Sequence, residues 1–380
     1  MPVFLCHDPF KGNSYWSTER QRYMTKEFVR FRIKYFSISS PEELKRYLEK
    51  YDNELSSLVL SPADEKQYNY LLSRYGEFNI HKIFLSNYSA DPATSDFSSV
   101  ISNFHYDMKL AISHLKEKGC KKIALFNASE NGYHDRLRIE TYKQLIYHDP
   151  LIFFADKTVH IVLSKLLSCD EKIDAIICIN DFSAFCLMLV LNEIDSNWRE
   201  KISVLSFANT ILSSLCPISL SSVSMNYAQC AKEVATIHKL CQQNDQIAYM
   251  HIVIKNHLYA RETTAKLNPG GIVFAEHNTL SEENLMEITA PSKKCHQLEK
   301  MLTVCDETDL KIIHGLLISK KAETISKNLY LSYEAVKHRV RKMKKLLDFA
   351  TTAELSAWLK LWIDPNKLEE KIIREYGEKQ

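Results

Sequence analysis

Ser332-Tyr-Glu-Ala-Val336-Lys-His-Arg-Val340-Arg-Lys-Met343-Lys-Lys-Leu-Leu347 is the stretch from which the rest of the chain can be read. Val336, Val340, Met343 and Leu347 recur at spacings of four, three and four. On a helix turning ~100° per residue they fall within roughly 60° of one another, a narrow apolar stripe suited to a small core. Ser332 is the N-cap residue type. The opposite face carries Lys337, His338, Arg341, Lys342 and Lys345, flanked by Arg339 and Lys344, with Tyr333 and Glu334 in the first turn. From Ser332 to Lys345 there are six Lys or Arg and one acid, Glu334. A helix with one apolar and one cationic face, held upright by two shorter helices, is what a major-groove reader needs. A solvated basic helix on an ordinary bundle carries the same pattern.

The shorter helices are legible on either side. Asp306 and Asp309 stand at capping-box spacing, with Asp in place of the usual Glu. Leu310, Ile312, Ile313, Leu316 and Leu317 follow on a helical period. A turn through Ser319-Lys320-Lys321 leads into a second helix, Ala322 to Leu329, with Ile325 and Leu329 on its buried side. Tyr330-Leu331 is a tight turn before the basic helix, and a fourth helix, Thr352 to Leu361, brings Leu355, Trp358 and Leu359. Asp306-Glu-Thr-Asp-Leu-Lys-Ile-Ile, Ile325-Ser-Lys-Asn-Leu-Tyr-Leu-Ser332, Val336-Lys337 and Glu354-Leu355 together resemble the LuxR/GerE-type helix-turn-helix, without a gap over residues 306–355. Three positions depart from it: Ala335 where the family usually has Thr, Arg339 where it often has His, and Leu346 where it usually has Lys. The resemblance implies double-stranded DNA as a partner. Tyr333, Glu334, Lys337, His338, Arg341, Lys342 and Lys345 are the candidate DNA-binding residues.

The 380 residues suffice for two or three domains, each with its own core. With 25% charged and 45% hydrophobic residues the composition is that of a soluble globular protein. A formal net charge of +2 means that any nucleic-acid affinity must come from a local patch. The ten cysteines are scattered, no two at C-x-x-C spacing, and several lie in apolar runs. They read as reduced core thiols of a cytoplasmic protein. The N-terminus, Met-Pro-Val-Phe-Leu-Cys-His-Asp-Pro, lacks a basic segment and a long apolar run, so no signal peptide is expected. No stretch approaches the ~18 apolar residues of a membrane span. Glycine is rare, at eight residues, and there is no G-x-G-x-x-G, no phosphate-binding loop, no nucleophile elbow and no His-E-x-x-His. No catalytic residue, metal site or cofactor is therefore assigned, and an enzyme is the least favoured reading.

Residues 1 to about 265 alternate short apolar runs with helical periods. Strands are expected at Val3–Cys6, Lys34–Ile38, Ser57–Leu60, Ile83–Leu85, Lys122–Phe126, Ala175–Ile179 and Ser203–Phe207. Helices are expected at Ser17–Arg32, Pro41–Tyr51, about Tyr106–Lys118, Leu137–Ile146 and from Ser183. Alternation of this kind argues for parallel sheets covered on both faces, and the number of units argues for two lobes with a ligand cleft at their strand ends. Cys120-Lys-Lys-Ile-Ala-Leu, Arg138-Ile-Glu-Thr-Tyr142, Asp174-Ala-Ile-Ile-Cys-Ile-Asn180-Asp181-Phe-Ser-Ala184, Ile202-Ser-Val-Leu-Ser-Phe207, Leu220-Ser-Ser-Val223 and Arg261-Glu-Thr-Thr264 follow in order. They resemble the punctuation of the periplasmic-binding-protein-like sensor domain of LacI/GalR repressors. That resemblance implies that Arg138 and Asp181 line an interlobe cleft and hold hydroxyls or a carboxylate of a small effector. A structural role, capping or bridging lobes, is the other reading of both. Where the family has Gly-Phe-Asp, whose Asp binds sugar hydroxyls, this chain has Ser206-Phe207-Ala208-Asn209. Asn209 is the partial substitute, which leaves a sugar-like effector in doubt. Asp8, Tyr15 and Trp16, after the first strand, form a candidate ligand wall.

The sequence thus divides into an α/β two-lobed ligand-sensing domain (1–265), a linker or partly ordered connector (266–300), a small all-α helix-turn-helix domain (301–362) and a charged tail (363–380). The order reverses that of LacI-type repressors, whose DNA-binding headpiece is N-terminal. The expected function is a bacterial transcription regulator, a homodimer reading two half-sites under the control of a small molecule. The alternative is a cytoplasmic ligand-binding or adaptor protein whose basic helix meets a protein partner.

Overall fold

The computed structural model describes residues 1–6, 15–51, 55–62, 65–86, 96–244, 246–277 and 279–377, without the side chains of 15–19 and 86. The chain forms two units, Met1–Leu110, Ser129–Gln144 and Met225–His257 in one, Ala111–Ala128, Leu145–Ser224 and Leu258–Gln380 in the other.

The first unit is built on a parallel sheet of β1 (Val3–Cys6), β2 (Tyr35–Ile38), β3 (Ser57–Leu60), β4 (His81–Ser86), β5 (Ser98–Ser102) and β12 (His251–Ile254), in the order β12-β5-β4-β3-β1-β2. Successive side chains alternate between its faces. Val3, Leu5, Val59, Ile83, Leu85 and Val100 meet Met24 and Phe28 of α1 (Tyr15–Arg30) and Val234 and Ile237 of α9 (Tyr227–Gln243). Phe4, Leu58, Leu60 and Phe84 meet Leu44 of α2 (Pro41–Leu48) and Tyr68, Leu71 and Tyr75 of α3 (Glu65–Tyr75). Both faces are apolar, which is why these strands read as continuous hydrophobic runs. The helices α4 (Phe104–Glu117) and α5 (Tyr133–Leu145) follow.

The second unit repeats the plan with β6 (Ile123–Ala128), β7 (Leu151–Phe154), β9 (Ala175–Cys178), β10 (Ser203–Ala208), β11 (Ser221–Ser224) and β13 (His257–Tyr259), in the order β13-β11-β10-β9-β6-β7. The pairings from β11 to β7 are parallel. Its helices are α6 (Val159–Leu167), α7 (Asp181–Ile194) and the short α8 (Ile211–Leu215). Every strand and helix expected over residues 1 to about 265 has a counterpart, with ends moved by a few residues; β5, β7, β11, β12, β13, α3, α6, α8 and α9 are additional, as is a short strand at Lys172–Ile173.

Residues 266–300, expected as a linker, are folded into this second unit. β14 (Ile272–Val273) pairs antiparallel with β8 (Lys172–Ile173), and α10 (Glu282–Thr289) packs on α6 and α7. Phe274 and Leu285 are fully buried. The composition conceals this because a few apolar anchors are separated by short polar turns. α11 (Cys295–Val304) already begins within that stretch. It is followed by α12 (Glu307–Leu317), α13 (Ala322–Asn328), α14 (Tyr333–Leu347), α15 (Thr352–Trp362) and α16 (Pro365–Tyr376). The 363–380 tail is thus helical through Tyr376, and it packs on α12 and α8. Lys367 reaches the carbonyls of Cys216 (3.1 Å) and Pro217 (3.0 Å) and the Glu262 carboxylate.

A single apolar core joins Ile176, Val204, Phe185 and Leu212 of the sheet layer through Leu285, Leu298 and Met301 to Ile313, Val336, Val340 and Trp362. Phe185 and Trp362 meet edge to face at 5.6 Å. Gly315 on α12 lies where a Cβ would come within 2.8 Å of Ile325, so α12 and α13 approach closely there. Glu299 on α11 is fully buried, and its carboxylate accepts from the amides of Ile211 (2.6 Å) and Leu212 (3.0 Å) at the start of α8. Glu299→Ala leaves those two amides without their acceptor and is expected to cost about 3 kcal/mol, read from urea unfolding.

In the first unit a polar cluster sits beneath the sheet. His238 Nδ1 bonds the Ser57 hydroxyl (2.8 Å) and His81 Nε2 the Ser98 hydroxyl (2.9 Å). Burial pushes both imidazoles down to about 4. Each stays neutral in the fold but takes a proton in the unfolded chain below its ordinary value of 6.5. Their contribution is therefore whole above 6.5 and is lost as the pH falls to 4. The stability gap between the parent and His238→Gln is expected to narrow by about 1.4 kcal/mol per pH unit across that window, measured by urea unfolding at each pH.

Candidate functional site

The basic helix α14 forms as its sequence dictates. Ser332 caps it by accepting from the Ala335 amide at 3.1 Å, and the Asp306–Asp309 capping box opens α12. Val336, Val340, Met343 and Leu347 are buried. His338, Arg341, Lys342 and Lys345 are exposed on the other side, as are Tyr333 and Glu334 in the first turn. Lys337 is half-exposed, its ammonium 3.7 Å from the Glu334 carboxylate and 4.9 Å from the Tyr333 ring centre. These seven side chains therefore share one helix surface, with the cations toward solvent.

The two flanking cations are engaged elsewhere. Arg339 binds Asp306 (2.9 Å) and Asp309 (2.6 Å) at the head of α12, and these hydrogen bonds, that of Asp309 first, hold its guanidinium above its ordinary pKa. Lys344 donates to the Ala350 carbonyl at 2.8 Å. Arg339, one of the three departures from the LuxR/GerE pattern, thus fixes α14 against α12. Tyr330, at φ 54°, makes the tight turn between α13 and α14 and is almost fully exposed.

In the second unit the structure brings Asp181 and Asn209 together. Asp181 is fully buried, and its carboxylate accepts from the hydroxyls of Ser206 (2.5 Å) and Ser222 (2.7 Å) and from the amide (2.7 Å) and hydroxyl (2.8 Å) of Thr210. A carboxylate has about four acceptor sites, so its capacity is spent within its own domain. Burial raises its pKa against the pull of these four donors. Its geometry is that of a residue positioning the loop after β10. That loop is strained: Ala208 has φ 124° and Asn209 φ 48°. The Asn209 amide donates to Ser222 Oγ at 2.9 Å, and its side-chain oxygen accepts from Arg261 at 2.5 Å. Arg261 also reaches Ser213 Oγ (3.2 Å) and the Leu220 carbonyl (2.6 Å). Arg261 carries no periodicity signal; only the Arg261-Glu-Thr-Thr264 resemblance pointed to its segment.

Arg138 lies in the first unit, buried, 3.7 Å from Asp135 and over the Phe104 ring at 5.0 Å. Asp107 is close to it and donates no charge cheaply, since burial pushes its carboxyl up to about 6 against the Asn256 hydrogen bond and the Arg138 charge. Asp8 lies outside the described residues; Tyr15 and Trp16 begin α1, but their side chains lie outside the description. Among the described residues no cluster of His, Cys, Asp and Glu is arranged to hold a metal, and no helix is long and apolar enough to cross a membrane.

Residues 112–264 match the periplasmic binding protein-like domain family. Solved structures share the fold. A LacI family transcriptional regulator from Enterococcus faecalis with bound ribose is 15% identical at a TM-score of 0.53, covering 70% of this chain and 100% of that one. The transcriptional regulator CelR in complex with cellobiose is 16% identical at 0.54, covering 69% and 84%. A regulatory protein of the LacI family from Chloroflexus aggregans is 17% identical at 0.52, covering 71% and 99%. No curated protein sequence matches the chain. The chain carries a periplasmic binding protein-like domain with the fold of LacI-family transcriptional regulators, followed by a helical region.

Proposed function

We propose that the chain is a DNA-binding transcriptional regulator. A small-molecule effector held by the two-lobed domain modulates operator binding by a C-terminal, LuxR-type helix-turn-helix. The observation that carries this reading is α14, whose apolar stripe is buried while Lys337, His338, Arg341, Lys342 and Lys345 face outward together. α13 precedes it across a turn of a few residues, the arrangement in which a second helix enters the major groove. Tyr333 and Glu334 lie at the N-terminal end, where base edges are reached. The likeness to a LacI-family regulator holding ribose and to the transcriptional regulator CelR holding cellobiose supports an effector-sensing role for the lobes.

The route from effector to DNA helix would run through the second unit. Asn209 and the Thr210 that Asp181 holds begin α8, whose amides rest on Glu299 of α11, and α11 packs on α14. An effector that binds one arrangement of the Asn209 loop better than another would bias the setting of α14. We place the protein in the cytoplasm as a homodimer, because one such helix reads too few bases for useful affinity and two half-sites supply the rest.

Selection of bound fragments from the source genome by the full-length protein should recover a motif with two half-sites. The pair of changes Lys337→Glu and Arg341→Glu is expected to weaken binding to that motif about 100-fold and to flatten its salt dependence. A protein whose DNA binding is motif-free, or indifferent to both changes, sinks the regulator reading and advances the protein-partner reading of the same helix.

A further inference from the structure

Glu334 is the one acid on α14, and it stands where the helix is otherwise most cationic. At ~100° per residue Lys337, His338, Arg341, Lys342 and Lys345 spread over roughly 140° of the helix surface. Glu334 points within roughly 15° of their mean direction, in line with Arg341 and Lys345. The buried stripe of Val336, Val340, Met343 and Leu347 lies on the opposite side. The Glu334 side chain is 74% exposed, so it is aimed outward with the cations and not folded back on the domain.

The helix has little need of it. Ser332 already caps α14 by accepting from the Ala335 amide, and the third helical position, where a capping box would place Glu, holds Ala335. What remains within the fold is the 3.7 Å pair with the Lys337 ammonium and the general preference for an acid in the first turn. An exposed ion pair three residues apart contributes little.

Against DNA the same carboxylate has a cost and a use. The cost is repulsion from the phosphates, which weakens binding to every sequence alike. The use lies in its chemistry. Lys337, Arg341, Lys342 and Lys345 can only donate hydrogen bonds, and so suit the O6 and N7 acceptors of guanine. A carboxylate can only accept, and the floor of the major groove offers it two donors, the N4 amino group of cytosine and the N6 amino group of adenine. The adenine amino group lies beside the N7 acceptor, which repels a carboxylate; that of cytosine has no acceptor beside it on its own base.

We propose that Glu334 reads a cytosine, accepting from its N4 amino group in the major groove and so fixing one C·G pair in each half-site. The proposal rests on the regulator reading and deepens it, by assigning a base to one residue of the helix.

The test is selection of bound duplexes from a randomised library by the full-length parent, Glu334→Ala and Glu334→Gln. Titration of the parent's selected site and of a scrambled duplex follows at one salt concentration. The parent motif should hold a fixed C·G pair in each half-site. Glu334→Ala should leave that pair degenerate and weaken binding to the parent site about tenfold. The same change should tighten binding to the scrambled duplex about twofold, because a negative charge leaves the interface. Glu334→Gln, which can meet N6 and N7 together, should move the preference at that position from cytosine to adenine. An acid that only pairs with Lys337 or favours the start of the helix would change affinity for both duplexes by the same factor and leave the motif intact. A motif whose every position survives Glu334→Ala, or whose lost position is not C·G, overturns the cytosine assignment and leaves the regulator standing. Binding by the parent without any motif overturns both.

Discussion

Asp181 is the interaction on which the second unit depends. A carboxylate with no water around it must have every lone pair met from the protein, and here four donors converge from β10, β11 and the loop into α8. That requirement fixes where β10 ends, forces Ala208 and Asn209 into left-handed backbone, and turns the chain into α8. The start of α8 then presents two amides that only a second buried carboxylate, Glu299, satisfies. Two buried carboxyl groups, neither able to go without hydrogen-bond partners in an apolar interior, thus hold the sheet and the helical region in one register.

The helical region is for this reason no module on a flexible tether. Its core is continuous with that of the sheet layer, and Lys367 fastens α16 to the segment around Cys216 and Glu262. A change in the loop after β10 has packed side chains to act on all the way to α14.

What the sequence disclosed and what it hid follow from the range of the interactions involved. α14 was legible because its stripe and its cationic face are set by residues three and four apart, and the caps at Asp306, Ser332 and Thr351 are equally local. The apolar strands β1, β3, β6, β9 and β10 were legible for the same reason. β5 was not, since it reads Ser-Ser-Val-Ile-Ser. Its buried serines are satisfied by His81, by His251 at 2.9 Å and by the Met250 amide at 3.0 Å, all distant in sequence. The connector looked loose because its anchors, Phe274 and Leu285, are isolated among polar residues. At the candidate site, Arg339 and Lys344 look like any other cation of the basic face until Asp309 and the Ala350 carbonyl are seen to take them.

The first sheet is assembled from segments far apart along the chain: β5 receives its outer neighbour β12 only from residues 251–254, as the contact between Ser99 and His251, 152 positions apart, shows. α9, which covers one face of that sheet, also arrives late. During synthesis the first five strands must therefore wait, with β5 an open edge, until most of the second sheet has emerged. Closing so long a loop is slow compared with the local winding of α14. The lobe begun first is consequently completed only after most of the second sheet has been made, and its unpaired edge is the point at which a stalled or shortened chain would find another copy to pair with.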